Sequence, residues 1–200
     1  MTKNGNGQLQ RQILDEARRL LLDLGYHGLS TRRIAGAVGC TATSIYLYFE
    51  NKDALVHALI DEGFKLLGVE LERAARVAPD ERLEAICRAY ARFGLENREF
   101  YEVMFLLHSD RMQRYPVERY RAQRARMAPL FEAIAAERDR DVHEHDDELH
   151  RTATLIWSLM HGLVTLLLAQ RVDAAVAGDA LIGDAVRHAR ALVRLSATPA

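Results

Sequence analysis

The 200-residue sequence has only two cysteines, Cys40 and Cys87, four prolines and one tryptophan, and its net charge of −1 favours neither sign. Two isolated cysteines cannot build the disulfide framework of a small secreted scaffold, so their expected role is compact apolar packing. A nearly neutral chain sets up no global field that draws it to nucleic acid or membrane, so any DNA affinity must come from a local patch. Long apolar runs are scarce: the strongest, Leu155 to Ala169, is interrupted by Ser158, His161 and Thr165. At that length it is expected to be a core helix, since a membrane span needs about 20 residues. The opening MTKNGNGQLQ lacks the apolar centre of a signal peptide; it reads as a flexible polar arm, and the chain as cytoplasmic with no membrane partner. No nucleophile stands paired with a base, and no phosphate loop or zinc-type spacing occurs, which argues against an enzyme; no cofactor is expected.

What is present is apolar residue in helical register. Hydrophobic residues make up 49% of the chain, enough for a sizeable core. Apolar positions recur at three- and four-residue spacing, strand-type alternation is hard to find, and no internal repeat is visible, so the fold class is all-α. The most informative stretch is Gly25 to Leu55, GYHGLSTRRIAGAVGCTATSIYLYFENKDAL. Ser30 and Thr31 carry the short hydroxyls that satisfy free N–H groups at a helix start. Ile34, Ala35 and Val38 give that helix one apolar face, and Gly39 follows where a left-handed residue ends it. Thr41 then caps a second short helix. Its buried stripe is Ile45, Tyr48 and Phe49, which leaves Ala42, Thr43, Tyr46 and Leu47 outward, where a DNA major groove would meet them. Asn51 caps a further helix starting at Lys52, whose positive end and ammonium suit a phosphate oxygen. From Met1 to Lys52 the cations exceed the acids by about three, a modest local patch for phosphates.

These residues resemble the DNA-binding domain of the tetracycline-repressor (TetR) family of bacterial transcription regulators. The likeness covers some thirty consecutive positions: S-T-R-x-I-A, then G-x-T-x-x-S-I-Y-x-Y-F-x-N-K-x-x-L. It implies a homodimeric regulator, expected to be a repressor, that binds a palindromic double-stranded DNA operator and is released by a small effector. By the same likeness Thr31 binds a phosphate, Arg32 reaches a base edge, and Thr41, Ala42, Thr43 and Ser44 open the recognition helix. Tyr46 and Lys52 match phosphate-binding positions, and Leu47 and Tyr48 complete the expected DNA-binding set. Ala42 and Leu47 depart from the polar or cationic residue and the histidine or aromatic common there, so base readout would lean on Arg32, Thr43 and a thymine methyl contact.

The rest of the chain divides into further helices, about nine in all, with a DNA-binding domain at 1–53 and a ligand and dimerisation domain at 54–200. The first is expected from Gln8 to Leu24. The fourth should run from Lys52 to about Arg76 and join the two parts. Pro79 breaks the chain before a fifth helix capped by Asp80, and REFYEVMFLLH forms a short sixth. The seventh, from Pro116 to about Arg140, should bend at Pro129. The eighth spans about Glu148 to Arg171 and the last about Gly178 to Leu195.

Phe93, Phe100, Tyr101, Met104, Phe105, His108, Tyr120, Met127, Trp157 and His161 form a dense set of aromatic, methionine and histidine side chains, suited to an apolar effector pocket. Ordinary core packing is the competing reading. W-S-L-M-H-G-L-V, from Trp157 to Val164, also resembles a Trp and His-Gly pattern in one branch of TetR ligand domains. A helix apolar on more than one face needs two partners, so Leu159, Leu163 and Leu166, with Leu181, Ile182, Ala185, Ala189 and Leu192 of the last helix, are expected at a four-helix dimer interface. His143, His145, Asp146, Asp147 and His150 offer metal-ligand chemistry in a predicted loop, where a solvated acidic segment is the plainer reading; no metal is expected. Arg119, Arg121, Arg124, Arg126, Arg138 and Arg140 read as a solvated helix face. A metal-responsive regulator, or a helix-turn-helix module whose bundle binds a protein, remain the alternatives.

Overall fold

The computed structural model describes residues 3–107, 112–138, 147–173, 175–176 and 178–196, with backbone alone for 3–6, 120 and 196. Among these the regular structure is helical, with ten α-helices and no strand. The chain packs as two units: residues 1–64 with 99–121, and residues 65–98 with 122–200. Packing thus divides the chain elsewhere than the 1–53 and 54–200 expected from sequence.

In the first unit α1 (Lys3–Gly28) runs longer than predicted at both ends: it is helical from Lys3, where a flexible arm was expected, and its backbone hydrogen bonding carries on past Gly25. Gly25 nevertheless interrupts it, with φ 69° and ψ 176°, so the glycine kinks the helix where the sequence placed its end. α2 (Thr31–Val38) is capped by Ser30, whose hydroxyl accepts from the Arg33 N–H, and ends at Gly39 in the left-handed region at φ 76°. α3 (Ala42–Tyr46) is capped by Thr41, and α4 (Lys52–Ala74) by Asn51, whose Oδ1 accepts from the Ala54 N–H at 2.8 Å. Ile13, Ala17, Leu21, Ile34, Ile45, Phe49, Leu55 and Leu59 bury together as the core of this unit. α6 (Arg98–Tyr101) passes into a π-turn over Glu102–Leu106 instead of continuing as one α-helix. Gly63 allows α4 to approach that turn closely: a Cβ there would collide with Met104 and stand 3.4 Å from Phe100.

The second unit is built on α5 (Arg82–Glu96), α8 (Ala128–Glu137), α9 (Asp147–Leu168) and α10 (Gly178–Ser196), which pack against one another. Asp80 does not cap α5. It lies in a 3-10 turn, Pro79–Glu81, and its carbonyl accepts from Arg190. The long seventh helix expected from sequence is two helices, α7 (Val117–Arg126) and α8, because Pro129 sits in the first turn of a new helix after the non-helical Met127. Nor do the arginines form one solvated face. Arg138 is buried, with its side chain 2% exposed, donating to Glu148 Oε1, Thr152 Oγ1 and the Val193 carbonyl, while Arg119 bonds Asp61 at 2.6 Å. α9 spans 22 residues and is long and apolar enough to cross a membrane by length and composition, so length does not exclude a span as expected. One of its faces, through Leu149, Ala153, Ile156, Met160 and Val164, is buried in the core of its unit.

Candidate DNA interface and effector cleft

The reading surface is assembled from helix starts. The free N–H groups of α2 and α3 are met by Ser30 and Thr41, so both helices begin where those hydroxyls stand. Thr41 Oγ1 accepts from the Ser44 N–H at 3.1 Å and lies 2.8 Å from Ser44 Oγ, so the two hydroxyls are occupied with each other. Thr31 Oγ1 and Tyr46 Oη are 3.3 Å apart, which brings together the two expected phosphate ligands from separate helices. Arg32 is exposed, whereas its neighbour Arg33 is spent on the Gly28 carbonyl at 2.7 Å. Thr43 and Leu47 are exposed, Ala42 and Ser44 half-buried, and Tyr48 is partly packed on the core.

Lys52 is held rather than loose. Its Nζ donates to the Tyr26 carbonyl at 3.0 Å and stands 3.8 Å from the centre of the Tyr26 ring. The Tyr26 hydroxyl in turn donates to Asp53, and burial together with that carboxylate pushes its pKa up to about 12. Tyr26 therefore ties the end of α1 to the start of α4. Sequence reasoning passed over it; the cue was an aromatic residue set between Gly25 and Gly28, where the chain turns.

The expected effector residues divide between the units. Phe100, Tyr101, Met104 and Phe105 belong to the first, where Phe105 packs edge-on to Phe64 and Tyr101, and Tyr101 is fully buried as core. Phe93, Met127, Trp157 and His161 belong to the second. His108 and the Tyr120 side chain lie outside the described residues.

In the second unit a cleft is lined by Leu71, Ile86, Cys87, Tyr90, Met127, Leu130, Ile156, Trp157 and Met160. Only Met127 and Trp157 of these were expected. Leu71, on α4, and Tyr90, on α5, are among the additions. Burial, then Glu84, push the thiol of the lining Cys87 up to about 12. Tyr90 joins two of the predicted residues, accepting from Trp157 Nε1 at 2.9 Å and standing 3.1 Å from His161 Nδ1. Burial lowers the His161 pKa from its ordinary value, consistent with a neutral ring. The open space in the cleft is about 10 Å³, room for about one water molecule, far below the roughly 300–1,000 Å³ of pockets that enclose drug-sized ligands.

Comparison with known proteins bears on both regions. Residues 13–59 match the family model described as bacterial regulatory proteins, tetR family, and residues 83–189 match the tetracyclin repressor-like C-terminal domain. The chain belongs to the TetR family. Members are DNA-binding transcriptional regulators, not enzymes. The HTH-type transcriptional repressor Rv1474c of Mycobacterium tuberculosis is 39% identical over 79 residues, which cover 40% of this chain and 38% of that repressor. Matches to the curated relatives thus span well under two thirds of their length. A solved protein of unknown function from Rhodococcus sp. RHA1 superimposes with TM-score 0.72 and 26% identity, over 92% of this chain and 93% of that one. The TetR family transcriptional regulator PfmR of Thermus thermophilus shares the fold, with TM-score 0.63 and 23% identity over 91% and 97% of the two chains.

In this TetR-family chain the residues expected at the dimer face differ in how much surface they keep. Ile182, Ala185 and Ala189 are buried within the single chain, where α10 packs on α9 and α5, and so have little surface left for a second copy. Periodicity showed an apolar stripe without showing what covers it. Leu159, Leu163, Leu181 and Leu192 are half-buried, and Leu166 is exposed, as is Leu155, which was not in the expected set. Leu155, Ser158, Gly162 and Leu166 follow one another at helical spacing along the open side of α9. The expected metal ligands His143, His145 and Asp146 lie outside the described residues; His150 packs against Phe131 at 4.9 Å, and the described residues hold no cluster of three potential ligands.

Proposed function

We propose that this TetR-family chain is a cytoplasmic repressor whose homodimer binds a palindromic operator and leaves it when a small apolar effector enters the second-unit cleft. Residues 1–53 carry the DNA-binding role and 54–200 the ligand and dimer roles. The observation that carries the reading is the paired helix-start surface: exposed Arg32 beside the Thr31 and Tyr46 hydroxyls, with Lys52 fixed by Tyr26 at the start of α4. Arginine's fork suits guanine O6 and N7, and the hydroxyls and ammonium suit phosphates. A palindrome requires two reading heads about 34–36 Å apart, which a symmetric dimer supplies. The open side of α9 offers the apolar surface for it.

α4 supports the coupling. One continuous helix starts at Lys52 on the reading side and carries Leu71 into the cleft lining. An effector that binds better to the conformation with α4 displaced depletes the DNA-competent state, and only that difference in affinity does the work. A hundredfold preference supplies about 2.7 kcal/mol. Met127 and Met160 let a narrow cleft repack around a ligand. The small volume also favours the alternative in which the bundle binds a protein.

The test is a gel shift on the chain's own promoter. Arg32→Ala and Tyr46→Ala abolish the shift while sedimentation still shows a dimer; unchanged affinity in both variants refutes the reading surface.

A further inference from the structure

α3 is poor in the side chains that read bases by hydrogen bonds. From Thr41 to Leu47 it has no arginine or lysine to fork onto guanine, no amide to pair with adenine and no carboxylate to accept from cytosine. Its hydroxyls offer little to a base: those of Thr41 and Ser44 are committed to each other, and that of Tyr46, beside Thr31, is the one proposed above for a phosphate. What remains outward is the Thr43 side chain, part of Ala42, and Leu47. Leu47 is 78% exposed, the highest value among the exposed large hydrophobics of the described residues. It stands immediately after the last turn of α3, on the face opposite buried Ile45.

The major groove offers one apolar feature, the C5 methyl of thymine. A leucine side chain set against cytosine instead would cover its N4 amino group without returning a hydrogen bond, which costs binding energy. Resting on the operator-binding function proposed above, we infer that α3 reads thymine methyl groups, with Leu47 as the residue that selects them, in addition to the guanine contact proposed for Arg32. Each half-site therefore carries a guanine for Arg32 and at least one thymine whose methyl is covered by Leu47. Hydrophobic contact takes the place of the polar readout that α3 lacks.

The experiment selects bound duplexes from a randomised pool with the full-length chain, then replaces individual thymines of the selected site by deoxyuridine, which lacks only the methyl. At the symmetric pair of thymines under Leu47, loss of each methyl weakens binding about fourfold, and loss of both about fifteenfold. Leu47→Ala binds the thymine site more weakly and brings the thymine and deoxyuridine sites within about twofold of each other. The inference is overturned if no thymine shows a methyl effect, or if Leu47→Ala keeps the full discrimination. A chain that selects a site and loses it with Arg32→Ala, yet ignores every methyl, refutes the thymine readout alone. A chain that selects no sequence at all refutes the operator-binding function and this inference with it.

Discussion

Removing one oxygen atom from Tyr90 tests the polar part of the cleft. The ring is 4% exposed, and its hydroxyl joins Trp157 Nε1 at 2.9 Å and His161 Nδ1 at 3.1 Å. Tyr90→Phe keeps the ring and its packing but deprives both neighbours of that oxygen. A net hydrogen bond contributes about 0.5–1.5 kcal/mol, and a buried group left without a partner costs more. Trp157 and His161 are only half-buried, so water can replace part of the loss. The expected destabilisation is about 1–3 kcal/mol. With a urea slope of about 2 kcal/mol/M, the unfolding midpoint falls by roughly 0.5–1.5 M. Trp157 is the single tryptophan, so its fluorescence reports unfolding from the site itself. An unchanged midpoint would refute the assigned hydrogen bonds of Tyr90.

The same histidine predicts a pH dependence. Burial lowers its folded pKa below the ordinary 6.5, so the unfolded chain binds the proton more tightly. Its contribution is complete above that ordinary value and is lost as pH falls through the folded pKa; the urea midpoint should drop as pH is lowered below 6.5, and less so in His161→Asn. An equal drop in both proteins would remove His161 as the cause. Gly39→Ala meets no atom within 4 Å but forces alanine to φ 76°, at a cost of about 1–2 kcal/mol, which lowers the thermal midpoint. No change would mean that the turn relaxes freely. Leu166→Glu places a charge on the open side of α9, and sedimentation should show monomer where the parent chain is a dimer. A dimer of unaltered strength would move the interface elsewhere.

The helix-turn-helix was legible because its determinants are local. Ser30, Gly39, Thr41 and Asn51 act within three or four residues of their own backbone, so caps and turn follow from order along the chain alone. The exposed positions of α3 followed as well: burying Ile45 and Phe49 leaves Tyr46 and Leu47 outside. Pro129 was recognised as a disturbance, but a break and a bend have the same sequence signature, and the backbone of Met127 decided between them.

The amino-acid sequence by itself determined the all-α class, the family and the start of each reading helix, since these depend on neighbours in the chain. Tertiary structure alone decided which groups meet across long separations: Lys52 with Tyr26, Tyr90 with Trp157 and His161, Arg138 with Glu148 and Val193. It also decided that Ile182, Ala185 and Ala189 are spent inside the chain. An apolar stripe fixes that a helix face will be covered, but its partner is chosen by the packing of all the other helices, and no periodicity within one helix encodes that choice.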